Sequence, residues 1–177
     1  MTELSDRILS GRPRGPRSPR FPWWGLLVVP LGAILFQVYV PLWVQFLAYL
    51  ELPLLVTVYL ALLRPSPVGG MFTGAAIGLL QDSLSHQPLG IFGIVKTLVG
   101  YFAASVGMRF EVDHAVVRFV LGFFFFVFHQ LFYWVLARAL LGEQVTFQVQ
   151  QTFFVGLLNA AVAVPLFHVL DKLKERP

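Results

Sequence analysis

Four ionisable side chains interrupt long apolar stretches of this chain: Glu51, Asp82, Lys96 and His129. Acid–base catalysis needs two such groups within hydrogen-bond reach of one reacting atom. No two acids lie close together on one apolar segment, so spacing builds no carboxylate pair. Asp82 and His86 stand four apart, but in a polar turn and without a nucleophile beside them. The HExxH, GxSxG and GxxxxGK[ST] patterns are absent. There is no cysteine, which removes thiolate catalysis, disulfides and cysteine metal sites. His129 and His168 each lack a second ligand at i+3 or i+4, the spacing that would aim two donors at one metal. The expectation is therefore no catalytic, cofactor or metal residues. The remaining chemistry is recognition, in which a polar group inside apolar surroundings must find a partner.

The elements that carry these residues follow from composition. Of 177 residues, 57% are hydrophobic and only 12% charged, and mean hydropathy is +0.74. A soluble domain is near 25% charged. One small core cannot hold so much apolar surface, so the surplus faces lipid. Apolar runs without strand-period alternation read as helices, because a lipid-exposed backbone must satisfy its own hydrogen bonds. The expected fold is all-α: a polytopic membrane protein with six transmembrane helices near 22–40, 46–63, 68–83, 89–107, 115–141 and 147–171. Pro30, Pro41, Pro53 and Pro165 are expected to bend or break local helix. Residues 1–21 are expected to form a disordered basic cytoplasmic tail, 22–171 the membrane domain and 172–177 a short second cytoplasmic tail.

The net charge of +4 invites a nucleic-acid reading, but its placement argues against one. Arg7, Arg12, Arg14, Arg17 and Arg20 lie in the first tail, and Lys172, Lys174 and Arg176 in the second. With both tails cytoplasmic, Arg64 and Arg109 fall in cytoplasmic turns, while the outward turns carry no Lys or Arg. Arg138, near an outer helix end, is the exception. A five-span arrangement separates the tails and fits the charges less well. Trp23, Trp24, Trp43 and Trp134 stand near helix ends, as interfacial anchors do.

Within this frame the stretch GGMFTGAAIGLLQDSLSHQPLG, residues 69–90, carries the specificity. Gly70, Gly74 and Gly78 lie on one helix face and admit a second backbone at close range, and Asp82 continues the row. The second backbone is either a neighbour in the same bundle or the helix of a partner. Gly93, Gly100 and Gly107 repeat on one face of the fourth helix and point to internal packing. Lys96 either pairs with Asp82, the preferred expectation, or snorkels to water. Glu51, before Leu52 and Pro53, is either a helix-start residue or an acid held by Arg138 across the outer rim. Asn159, His129, Gln130 and His168 are expected to hydrogen-bond between helices. Phe123 to Phe126 read as lipid-facing or as a partner groove. Gln144, Gln148, Gln150 and Gln151 are either a solvated helix start or an extracytoplasmic contact surface.

The short apolar helix with Pro53 and Tyr59, then Gly78-Leu79-Leu80-Gln81-Asp82, then Pro88-Leu89-Gly90, resembles the rod shape-determining protein MreD family. Gln81 and His86 are more polar than the residues commoner there, and the Arg-rich tail is longer. The resemblance implies a non-catalytic component of the bacterial cell-elongation machinery in the cytoplasmic (inner) membrane. It implies association with an MreC-like single-span coiled-coil protein, and through it with the RodA glycosyltransferase, its penicillin-binding transpeptidase partner and MreB filaments. It also implies a fold similar to the substrate-binding subunit of energy-coupling vitamin transporters, so a small-molecule binding subunit is the competing function. The partner-binding residues expected on this basis are Gly70, Gly74, Gly78, Asp82, Glu51, Lys96 and Gln144.

Overall fold

The computed structural model describes residues 21–64, 66–85, 90–142 and 146–174. The basic tail over 1–20, His86, Pro88, Leu89, Gln144 and Arg176 lie outside the described residues.

Among the described residues six α-helices follow one another: α1 Gly25–Tyr39, α2 Leu52–Leu62, α3 Pro67–Leu84, α4 Ile91–Gly107, α5 Ala115–Leu141 and α6 Val149–Asp171. Contacts such as Gly70 with Gly100 and Gly78 with Phe92, or Trp134 with Phe147 and Gly122 with Ala163, set successive helices antiparallel. The helices therefore alternate in direction, and α1 begins at the end of the bundle where α6 finishes. That end is called here the terminal end. Four stretches are long and apolar enough to cross a membrane by length and composition: Gly25–Leu42, Gln45–Leu62, Ala115–Leu141 and Val149–Asp171. α4 is a shorter apolar helix. The outward faces are apolar, with Leu27, Val28, Phe72, Val116, Val120, Phe124 and Phe154 all exposed, as a lipid-facing surface requires.

The second segment departs from the expected continuous helix over 46–63. It opens as a 3₁₀ stretch, Gln45–Tyr49, breaks at Leu50 and Glu51, and only then becomes α2. Pro53 supplies no amide and sets the second residue of the helix, so regular α-helix starts just there. Eleven residues rise about 16 Å, roughly half of a 30 Å hydrocarbon core. α2 is also the buried centre, since every residue from Pro53 to Leu62 is buried. A helix apolar on all sides fits only where neighbours surround it.

α3 and α4 pack backbone to backbone. A Cβ on Gly70 would fall on the Gly100 carbonyl, one on Gly74 on the Lys96 carbonyl, and one on Gly78 on the Phe92 carbonyl. Gly107 meets the carbonyl of Leu62 in the same way. The glycine ladder is thus filled by the chain's own fourth helix. α3 begins with Ser66, whose hydroxyl accepts from the Gly69 amide at 3.1 Å. Pro30 and Pro165 lie inside α1 and α6. Of the phenylalanine run, Phe125 and Phe126 are buried and Phe124 is exposed, so the run straddles core and surface rather than facing lipid as a block.

Candidate functional site

Asp82, near the last turn of α3, is 2% exposed. Its Oδ2 accepts from the amides of Gly90 (2.9 Å) and Gly93 (3.0 Å), and its Oδ1 from the amide of Phe92 (3.2 Å). These are first-turn amides of α4 that have no partner within their own helix. The carboxylate also sits at the positive end of that helix. Gly90 enters at φ +101°, a left-handed conformation that a side chain would strain. Gly78, Asp82 and Gly90 form one device: close approach of α3, a cap for α4, and the turn that lets the cap reach.

The expected Lys96–Asp82 ion pair does not form, because Asp82 is spent on backbone amides. Lys96 is fully buried, its Nζ 3.5 Å from His129 Nε2 and 4.5 Å from the centre of the Phe92 ring. His129 stacks on the same Phe92 ring, the two ring centres 5.8 Å apart and the planes nearly parallel. Snorkelling is excluded for a lysine with no exposed surface. Arg138 does not reach Glu51 either. Its guanidinium lies 5.6 Å over the Trp134 ring.

Glu51 and its surroundings form the second constellation. The Glu51 amide donates to Asn159 Oδ1 at 2.8 Å, and Asn159 Nδ2 donates to the carbonyls of Tyr49 (2.8 Å) and Val155 (3.0 Å). One buried asparagine on α6 thus splints the two sides of the break before α2 and pairs backbone groups that the helix cannot. Asn159 lies ten residues into α6, about 15 Å along its axis. Glu51 is held at that depth, and its Oε2 is buried without a hydrogen-bond partner. It lines a cleft of about 340 Å³ between α5, α6 and the 3₁₀ stretch, open at the end of the bundle away from the terminal end.

At the terminal end, a clasp joins three helices that sequence spacing does not connect. Asp171 takes the Arg118 guanidinium at 2.5 Å, the Tyr59 hydroxyl at 2.9 Å and Lys174 at 2.6 Å. Arg118 also donates to the Val112 carbonyl at 3.0 Å. Arg118 and Asp171 look like loop-edge charges in the sequence, and no spacing there joins them to Tyr59.

The expected site residues therefore divide. Gly70, Gly74, Gly78 and Asp82 meet at the α3–α4 contact, where they are closed to a second chain while α4 stands there. Lys96 lies in the interior beside His129. Glu51 faces the cleft. Among the described residues, no group of three His, Cys, Asp or Glu side chains is placed to hold a metal ion.

These features define a small polytopic helical membrane protein organised around a broken central helix and a capped helix pair. The family pattern of rod shape-determining protein MreD matches residues 20–176, and the chain belongs to that family. It is accordingly a bacterial membrane protein of rod shape determination. No curated protein and no solved structure gives a significant match.

Proposed function

We propose that this chain is a non-catalytic scaffold of the cell-elongation machinery in the inner membrane, and that it binds an MreC-like single-span protein and through it the wall synthases. The family match over nearly the whole chain carries this reading. With the glycine face filled, the docking surface is the groove of about 350 Å³ between α1 and α3. Gly69, Thr73 and Ala76 give it small residues, and Leu27, Phe72 and Leu80 give it apolar walls. Small floors of this kind let a transmembrane helix approach closely. Interhelical hydrogen bonds in membranes average about 0.6 kcal/mol, so packed area supplies most of the affinity.

The test is gentle purification of the tagged chain from its native membrane, beside an Ala76→Phe variant. Ala76 is exposed, so a larger side chain fills the groove without entering the core. A single-span coiled-coil protein and wall synthases are expected with the natural chain, at least tenfold depleted in the variant. Undiminished recovery with Ala76→Phe would move the docking surface elsewhere. Recovery of transport ATPases with a coupling subunit, in place of those companions, would replace the scaffold reading with the transporter one.

A further inference from the structure

The cleft beside Glu51 exists because the central helix covers only half the bundle. The lining residues on α5 run from Ala137 to Phe126, about 16 Å along the axis, so the cleft reaches deep among the helices. Non-helical backbone at such depth is tolerated where it lines a cavity, and broken helices of this kind are a common way to build a binding site near the middle of a membrane. The volume falls within the range of small-molecule sites.

The lining chemistry narrows the ligand. Among the described lining residues Glu51 is the one carboxylate and none is basic, while the buried Lys96 ammonium lies behind Glu51, outside the lining and within electrostatic reach of it. Its Oε2 is buried with no donor, a state that is costly unless a donor arrives. The walls are aromatic (Tyr133, Trp134) and amide-bearing (Gln130, Gln151). The Trp134 ring already accepts a cation on one face, since Arg138 lies over it. A carboxylate at depth, aromatic faces beside it and amides around it together suit an ammonium or amidinium group carried on a small apolar body.

We infer that this cleft is a binding site for a small organic cation entering from the end away from the terminal end, with Glu51 as the charge partner. This inference does not rest on the assembly role, because it concerns the isolated chain. It differs from the partner site in the α1–α3 groove in both place and chemistry.

The experiment uses the full chain in lipid nanodiscs, with benzamidinium as the probe and neutral benzamide as its uncharged isostere. Binding is followed by titration calorimetry and by thermal shift. Millimolar benzamidinium is expected to bind and raise the melting temperature, with benzamide at least tenfold weaker. Glu51→Gln keeps the shape and removes the charge, and should lose benzamidinium binding at least tenfold. Should Glu51→Gln not fold, Gln151→Leu on the exposed rim is the second variant, expected to weaken binding severalfold without changing the unliganded melting temperature. Equal binding of the charged and neutral probes, or no loss in a folded Glu51→Gln, would overturn the assignment and leave a cleft that holds water. Failure to recover elongation proteins in the co-purification would leave this result standing, so the two readings fail separately.

Discussion

At the scale of single residues, the protein spends the buried Asp82 carboxylate on backbone. Asp82 satisfies three amides of α4 in a place where water is scarce, and each unsatisfied buried donor costs about 1–3 kcal/mol. Asp82→Asn keeps one carbonyl acceptor and loses the charge at the positive helix end. It should lower stability by about 1–3 kcal/mol, whereas Asp82→Leu, which keeps no acceptor, should cost more. Thermal unfolding of the detergent-solubilised chain, followed by helix signal, ranks the two. Equal stability of the natural chain and Asp82→Leu would show that the amides find other partners. Asp82 stood out in the sequence because a lone acid after an apolar helix is conspicuous. Its partner was not legible, since the groups it binds are backbone amides, which every residue carries and no letter marks. The same blindness hid the Asp171 clasp, whose members come together only once α2, α5 and α6 are side by side.

At the scale of elements, the glycines decide how α3 and α4 stand. A Cβ at Gly74 would coincide with the carbonyl of Lys96, and that atom is fixed backbone which cannot rotate aside. Gly74→Ala should therefore destabilise by about 1–3 kcal/mol through forced separation of the pair, and Gly74→Leu should prevent recovery of a monodisperse protein. Gly32 on α1 is the control. A Cβ there meets nothing within 4 Å, so Gly32→Ala should be neutral or stabilising by up to about 1 kcal/mol. Size-exclusion profiles and melting temperatures of the three variants test this. Tolerance of Gly74→Leu would mean that the two helices do not depend on backbone contact. The four-residue spacing made the face visible in sequence, though not what covers it, because a chain's own helix and a partner's make the same demand. Five of the six helices lie close to where hydropathy puts them. The second failed because hydropathy averages over Gln45–Leu62 and cannot see a break whose support, Asn159, arrives from the last helix.

At the scale of the whole molecule, the two ends of the bundle differ in charge. Arg64, Arg109, Arg118, Lys172 and Lys174 gather at the terminal end, where the helices reverse or stop. Arg138 stands alone among the described basic residues near the other end, and its charge is turned onto the Trp134 ring. The positive-inside rule predicts that the terminal end faces the cytoplasm and that the Glu51 cleft opens outward. The absence of native cysteine makes this directly measurable, because any introduced thiol is the sole target for a maleimide. Glu111→Cys marks the terminal end and Gln150→Cys the other, both at exposed positions. With a membrane-impermeant maleimide on intact cells, Gln150→Cys should label at once and Glu111→Cys only after the membrane is opened. The reverse pattern would turn the molecule over, placing the cleft toward the cytoplasm and the basic end outside. The cation that Glu51 is built to receive would then come from the cytoplasm, and an extracytoplasmic partner would meet the Asp171 clasp instead.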